Sequence, residues 1–141
     1  MRAPIAGEVC APRRYTHSRV QLFRFSAVSW NSHRIHYDTA FAVSEGFPDV
    51  VVQSTLHGEA LTRHALAWAG PNARLLAVSW RNAATATADE PLTWTATVRT
   101  VADDDASAPE SDGGVRVSLD VSIVKEDGTP CVTGTVELSV R

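Results

Sequence analysis

The residues best suited to chemistry lie in one short polar stretch, Asn31-Ser32-His33-Arg34-Ile35-His36-Tyr37-Asp38. It holds two histidines three positions apart, an amide five positions before the second histidine and a carboxylate two positions after it. An imidazole with a pKa of about 6.5 exchanges protons near neutral pH, which suits it to general acid–base catalysis. A loop histidine taken alone is more often a hydrogen-bonded structural residue, so the surrounding sequence has to decide between the two.

A second stretch, Val50-Val51-Val52-Gln53-Ser54, leads into a long helical pattern. The first N–H groups of a helix have no partner within the helix and carry partial positive charge, so they can stabilise a developing oxyanion. A polar loop followed by a helix start therefore suits proton transfer next to a carbonyl group.

Helical patterns fill the first half of the chain. Ser18 is a candidate N-cap for a helix whose apolar positions are Val20, Phe23, Ala27 and Val28. Asp38 is a candidate N-cap for a short helix with Phe41 and Ala42 facing inward, which Gly46 and Pro48 end. The main helix is predicted from Ser54 or Thr55 to Ala69, with Gly70-Pro71 stopping it. Its apolar stripe consists of Leu56, Ala60, Leu61, His64, Ala65 and Trp68.

After Gly70 the apolar period changes from 3.6 to 2, which predicts strands. Four alternating runs follow Asn72, with a tight turn at Glu126-Asp127-Gly128-Thr129 between the last two. Helices followed by an antiparallel meander predict an α+β domain in which the long helix lies on a curved sheet. We expect one domain over residues 1–141, with residues 1–16 as an extended lead-in and the polar, acidic tract 102–114 as a long mobile connection.

Composition and charge exclude several classes of function for this chain. The chain has 141 residues, 44% hydrophobic and 21% charged, and its apolar runs are far shorter than the roughly 20 residues that span a bilayer. With no secretory signal pattern at the N-terminus, we expect a cytoplasmic protein without membrane association and with Cys10 and Cys131 as free thiols. Five of the sixteen acidic residues lie in the tract 102–114, and without them the formal charge changes from −3 to +2. This field is too weak to predict a nucleic-acid partner.

The polar loop carries a family resemblance. The segment from Leu22 to Asp38 resembles the hydratase motif of MaoC-like hot-dog proteins, in particular the hydroxyacyl-thioester dehydratase and mesaconyl-CoA hydratase-like branch with its HRIHYD run. The likeness extends through Glu45-Gly46-Phe47-Pro48 and Val51-Val52-Gln53-Ser54. These motifs cover about a third of the chain.

The resemblance implies a hot-dog fold that acts as a homodimer or as a heterodimer with another hot-dog chain. It implies reversible addition of water to a 2-enoyl thioester, with CoA or phosphopantetheine thioester as substrate and no separate cofactor. His36 matches the catalytic histidine, Asn31 the residue five before it, and Ser54 the residue whose N–H binds the thioester oxygen. Gln53, His33 and Arg34 are expected to contact substrate.

Two positions depart from the wider family pattern. Many MaoC-like hydratases have aspartate where this chain has Asn31, and an amide cannot act as a base, so His36 would carry the proton transfer. The chain has Gln53-Ser54 where His-Gly is usual, and the serine Cβ restricts the backbone at the oxyanion hole.

Three function classes stay open from the sequence. The first is the hydratase or dehydratase, and the second is a non-catalytic or half-catalytic subunit of a heteromeric dehydratase, which Asn31 and Ser54 keep open. The third is a hot-dog thioesterase, in which Glu59 would be the nucleophile or base. His57 and His64 lie seven apart without a carboxylate at ligand spacing, so no metal site is expected.

Overall fold

The computed structural model describes residues 3–103 and 114–141. Its elements in chain order are β1 (Arg13–Tyr15), α1 (Arg19–Val28), a single 3₁₀ turn (Arg34–His36), α2 (Thr39–Ser44), α3 (Ser54–Ala69), β2 (Arg74–Asn82), β3 (Leu92–Asp103), β4 (Val115–Lys125) and β5 (Pro130–Val140).

The strands described in the structure form one antiparallel sheet in the order β1-β3-β4-β5-β2. Four of them follow Gly70, as predicted, but only β3, β4 and β5 form a meander. The prediction that all four strands form one antiparallel meander was therefore wrong, because β2 pairs with β5 at one edge instead of with β3. Alternation identifies strands but does not specify which strand lies next to which.

The lead-in contributes a strand that the sequence did not reveal. Arg13–Tyr15 pairs with Leu92–Trp94 of β3, and Val9 forms an isolated bridge with Thr97. Three residues are too few to show an alternating pattern, so only the extended character of this segment could be predicted. The short strand covers one edge of β3.

Helix α3 lies on the sheet and contacts β2, β3, β4 and β5. The α+β arrangement of a long helix on an antiparallel sheet is therefore confirmed, with the helix ending at Gly70, whose φ is +92°. The buried face of α3 consists of Leu56, His57, Gly58, Ala60, Leu61, His64, Ala65 and Ala69. Trp68, which was predicted on this face, is half-buried.

Helix α1 presents a different face to the core from the predicted one. Leu22 and Ser26 are its buried residues, whereas Val20, Phe23 and Val28 are exposed. The caps were predicted correctly, since the Ser18 side chain accepts a hydrogen bond from Gln21 N–H. The apolar period selected the wrong face because the buried face carries a serine that makes a specific hydrogen bond, described below.

Most of the acidic tract lies outside the described residues. Ala102 and Asp103 continue β3 and pair with Arg116 and Val115, and residues 104–113 are not described. Within residues 3–103 and 114–141, no helix is long and apolar enough to cross a membrane. Cys10 and Cys131 are buried free thiols, as predicted.

Candidate active site

The polar loop is attached to the end of α1 and held by local capping bonds. Trp30 takes a left-handed backbone conformation, with φ of +52°, and Asn31 N–H donates back to Ser26 C=O over 3.0 Å. The His33 side chain caps the 3₁₀ turn by accepting from Ile35 N–H over 3.4 Å. Asp38 caps α2, as predicted, by accepting from Phe41 N–H. These bonds turn the chain twice within ten residues. They bring His36 against the segment that precedes α3.

His36 is held by the backbone on the far side of α2. Its ring is 8% exposed, and Nδ1–H donates to Val51 C=O over 2.7 Å. Val51 N–H donates in return to Ile35 C=O over 2.8 Å, so the two segments are joined by two bonds. A carbonyl can only accept, so the proton of the neutral ring is on Nδ1 and Nε2 carries the free lone pair. Nε2 has no hydrogen-bond partner in the part of the chain that the structure describes.

The pKa of His36 is lowered from its usual value. Burial is the main cause, because it disfavours the charged imidazolium, and the nearby His33 ring acts in the same direction. The bond to Val51 C=O opposes both by stabilising the protonated ring. A ring that is neutral near pH 7, with a fixed tautomer, is a competent general base.

Asn31 lies at the rim of an open depression of about 460 Å³. Its Oδ1 accepts from His33 N–H over 3.3 Å, which fixes the amide within the loop. The depression is largely apolar and is lined by Phe23, Ser26, Ala27, Trp30, Asn31, Ser32 and Tyr37. Trp30 stands at its edge with 93% of its surface exposed. Asn31 thus adjoins an apolar surface that is open to solvent.

Gln53 connects α1 to the start of α3. Its side chain is fully buried, and Nε2 donates to Leu22 C=O over 2.8 Å and to Ser26 Oγ over 2.9 Å. Ser26 therefore binds both Asn31, through its carbonyl, and Gln53, through its hydroxyl. We assign the Gln53 side chain to this bracing role in place of the predicted substrate contact, because no part of it reaches solvent.

Ser54 is the first residue of α3 and is exposed. Leu56 and His57 N–H both donate to Gln53 C=O, whereas the Ser54 N–H has no acceptor among the described residues. Ser54 Oγ accepts from the indole Nε1–H of Trp80, on β2, over 3.1 Å. The structure therefore leaves the Ser54 N–H free at the N-terminus of the central helix, where the sequence predicted an oxyanion donor.

Arg34 is engaged within the chain. Its Nε donates to Asp38 Oδ2 over 3.1 Å, and its guanidinium lies 4.6 Å from the centre of the Phe41 ring. Hydrogen bonds from Phe41 N–H and then from Arg34 lower the pKa of the Asp38 carboxyl. A contact of Arg34 with substrate phosphate stays a prediction, and it would have to compete with this ion pair.

Three further histidines form a buried group that the sequence did not reveal. The ring of His17 lies 5.1 Å from Tyr15 and 6.1 Å from His57, and Tyr15 lies 5.0 Å from His64. Buried polar atoms of this group lack a hydrogen-bond partner within the described residues: Tyr15 OH, His17 Nε2, His57 Nδ1, His64 Nε2 and Trp94 Nε1. The helical spacing of His57 and His64 places them on one face, but only the β1–β3 pairing brings Tyr15 and His17 to them.

Burial sets the protonation of this group. It lowers the pKa of both His57 and His64 to about 4, and it lowers the pKa of His17. No group of three or more His, Cys, Asp or Glu in residues 3–103 and 114–141 has a geometry that could hold a metal ion. We expect these rings to be neutral and structural.

Glu59, the residue on which a thioesterase would depend, lies on the outer flank of α3. It forms an exposed ion pair with Arg63 over 3.1 Å. It lines a separate apolar depression of about 470 Å³ together with Val78 and Trp80 of β2. The loop with His36 is not part of that depression.

Comparison with protein families and known proteins identifies the family to which the chain is similar. The family model for hydroxyacyl-thioester dehydratase type 2 matches residues 4–88, which include the loop, α2 and α3. Mesaconyl-C(4)-CoA hydratase of Chloroflexus aurantiacus is 56% identical over 36 residues, which is 25% of this chain. The match spans only 13% of that hydratase.

Solved structures share the whole fold. The chain superposes on a chain of the ChsH1–ChsH2 complex of Mycobacterium tuberculosis with a TM-score of 0.82 at 22% identity, covering 99% of this chain and 100% of that one. It superposes equally well on the (R)-hydratase of A. caviae involved in PHA biosynthesis, with 19% identity and 100% of both chains covered. The HadBC (3R)-hydroxyacyl-ACP dehydratase complex of Mycobacterium tuberculosis gives a TM-score of 0.75 at 13% identity, covering 98% of each chain. These likenesses confirm the predicted hot-dog fold.

Proposed function

The chain belongs to the hydroxyacyl-thioester dehydratase type 2 family, and on that premise we propose that it catalyses the reversible hydration of a 2-enoyl thioester to a 3-hydroxyacyl thioester. The family supports hydro-lyase chemistry at the coarse level. The 2-enoyl thioester substrate and the roles of individual residues are our proposal.

His36 is the acid–base group in this proposal. In the hydration direction Nε2 takes a proton from water as the water oxygen bonds to C3 of the enoyl group. Electrons move from the C2=C3 double bond towards the thioester carbonyl, whose oxygen becomes an enolate. The imidazolium then returns a proton to C2, which completes the addition and regenerates the neutral ring. Dehydration is the same sequence in reverse.

The observation that carries the proposal is the bond from His36 Nδ1–H to Val51 C=O. It fixes the tautomer with the lone pair on Nε2, and it stabilises the ring when it becomes charged. The ring therefore has the tautomer and the unpaired nitrogen, within the described residues, that a general base needs.

Ser54 supplies the oxyanion donor. Its N–H is unpaired in the described residues and lies at the positive end of α3, a helix of 16 residues. A preorganised donor at the position where charge develops is worth about 10²–10³ in rate. Asn31 has no base in its side chain, so its role is to orient the water or the 3-hydroxyl group.

The apolar depression next to Asn31 is the proposed place for the substrate chain. Phe23, Trp30 and Tyr37 offer aromatic surface beside a polar rim, which is the usual composition of a small-molecule site. The strained backbone and full exposure of Trp30 are also features that concentrate at functional sites.

Assembly with a second hot-dog chain is part of the proposal. Among the described residues β2 is an edge strand of nine residues, and exposed edges favour pairing with another chain. Two similar structures, ChsH1–ChsH2 and HadBC, are named as complexes of two chains. Asn31 is the observation that favours a heteromeric arrangement, because a partner chain could supply the carboxylate that this loop lacks.

Hydration of crotonyl-CoA, followed as loss of enoyl-thioester absorbance, tests the proposal. The purified chain should be assayed alone and with co-expressed hot-dog partners, and release of free thiol should be measured in parallel. Hydration that depends on His36 supports the hydratase, whereas thiol release that depends on Glu59 would replace it with the thioesterase.

A further inference from the structure

Trp80 binds the residue that supplies the proposed oxyanion donor. Its Nε1–H donates to Ser54 Oγ over 3.1 Å. An indole nitrogen can only donate, so Ser54 Oγ is the acceptor in this bond. The contact joins the edge strand β2 to the first turn of α3.

Gly58 makes room for the indole on the helix. It lies one turn after Ser54, and a Cβ built there would be 2.5 Å from Cη2 and 2.6 Å from Cζ2 of Trp80. Glycine inside a helix is less favourable than alanine by about 1 kcal/mol. The helix therefore gives up stability at a position where the absence of a side chain admits this ring.

Gly134 makes room for the same tryptophan from the sheet. It pairs with Trp80 in the β2–β5 register, and a Cβ there would lie 2.2 Å from Ser79 C=O and 3.0 Å from Trp80 Cα. Two glycines from different elements thus allow close approach on two sides of one residue. This indicates independently that the backbone at Ser79 and Trp80 is packed closely against β5.

We propose that Trp80 is a positioning residue for the oxyanion hole, which holds Ser54 so that its N–H meets the thioester oxygen. This inference rests on the proposed function. A free serine hydroxyl at a helix start tends to bond to nearby backbone groups. By binding Oγ, the Trp80 indole restrains the Ser54 side chain and, through it, the direction of the Ser54 N–H.

The test compares Trp80→Phe, Ser54→Ala and the double variant in crotonyl-CoA hydration, using the chain in its active assembly. Trp80→Phe keeps the ring but removes the N–H, and Ser54→Ala removes the acceptor but keeps the backbone donor. Each should lower kcat about tenfold with KM nearly unchanged, because the donor acts on charge that develops in the transition state. The double variant should be no worse than the worse single variant, since both remove the same bond.

Two further variants complete the test. Trp68→Phe, at a half-buried tryptophan near the other end of α3, is the matched control and should keep kcat within about twofold. Gly58→Ala would place a Cβ 2.5 Å from Cη2 of Trp80 and so displace the indole, and kcat should fall about tenfold.

The outcomes separate this inference from the function on which it rests. Wild-type kcat in Trp80→Phe, or losses that multiply in the double variant, would overturn the positioning role while leaving an active, His36-dependent hydratase intact. A wild-type assembly without hydration activity would remove the proposed function and this inference with it.

Discussion

The five histidines of this chain fall into two groups whose difference defines the site. His36 and His33 lie in the loop after α1, where a backbone carbonyl holds one nitrogen of His36 and the other nitrogen is unpaired in the described residues. His17, His57 and His64 lie between α3 and the sheet, with buried nitrogens that have no partner there. Burial lowers the pKa in both groups. A hydrogen bond that stabilises the charged ring opposes this shift at His36, through Val51 C=O, and at His17, through Gln21, but not at His57 or His64. His36 therefore differs from His57 and His64 in having a fixed acceptor that stabilises the ring when it takes up a proton, and it differs from His17 in lying in the polar loop.

The largest expected effect separates the two groups by catalysis. His36→Ala should lower kcat for enoyl-thioester hydration by at least about 10²-fold, because the variant has no group to accept the proton. KM should change less, since the proton moves only in the transition state. Steady-state kinetics on crotonyl-CoA measures both.

The control comes from the buried group. His64→Ala should keep kcat of the folded protein within about twofold, while its unfolding free energy falls because a cavity replaces a packed ring. An equal loss of kcat in His36→Ala and His64→Ala would contradict the division into a catalytic and a structural group of histidines.

The next effect separates the groups by acid stability. His57 and His64 have folded-state pKa values of about 4 against an ordinary value of 6.5, so the unfolded chain binds more protons between those pH values. Their contribution to stability is fully present above pH 6.5 and is lost as the pH falls towards 4. By about pH 5 each should have lost about 2 kcal/mol.

Urea unfolding at about pH 7.5 and pH 5 measures this loss. His64→Leu removes one of the two titrating groups, so its unfolding free energy should fall less between the two pH values than that of the wild type. An equal fall in both proteins would show that His64 does not titrate in this way.

A smaller effect is expected at Asn31, whose side-chain amide lies five positions before His36 in the sequence. Asn31→Ala should lower kcat by less than His36→Ala, about tenfold, because it removes an orienting hydrogen bond and leaves the base. Asn31→Asp adds a carboxylate to the loop that carries His36 and should preserve or raise hydration. Loss of activity in Asn31→Asp would mean that the loop does not present this side chain to the reacting water.

The smallest effect is expected at His33. Its side chain is exposed and caps the 3₁₀ turn through a long bond of 3.4 Å. His33→Ala should cost about 0.5 kcal/mol of unfolding free energy and leave kcat within about threefold. A loss as large as that of His36→Ala would move His33 from loop bracing into the catalytic group.

The sequence predicted the parts of the fold that local chemistry determines. Ser18 and Asp38 cap their helices, and Gly70 ends α3, because side-chain caps and left-handed glycines act within a few residues. The place of β2 beside β5 and the pairing of Arg13–Tyr15 with β3 could not be predicted, since they depend on contacts between distant segments.

The same distinction between local and distant contacts holds for the candidate site. The loop and Ser54 were predicted as site residues from residue types and the family resemblance, and the structure adds the Val51 carbonyl that fixes the His36 tautomer. The bracing role of Gln53 was missed because its partners, Leu22 and Ser26, lie about 30 positions earlier on a helix face that the apolar period did not select. The buried histidine group was missed because only the pairing of β1 with β3 brings Tyr15 and His17 to α3.

The pH dependence of kcat/KM for crotonyl-CoA hydration tests the central claim most directly, because it reports the ionisation of the free enzyme. The measurement runs from about pH 5 to pH 8 with the protein shown to be folded by circular dichroism at each point. The account predicts that activity falls on the acid side with an apparent pKa below 6.5, as burial lowers the pKa of His36, and that the residual rate of His36→Ala lacks this limb. An acid limb that persists unchanged in His36→Ala, or a wild-type rate that does not vary with pH across this range, would contradict it.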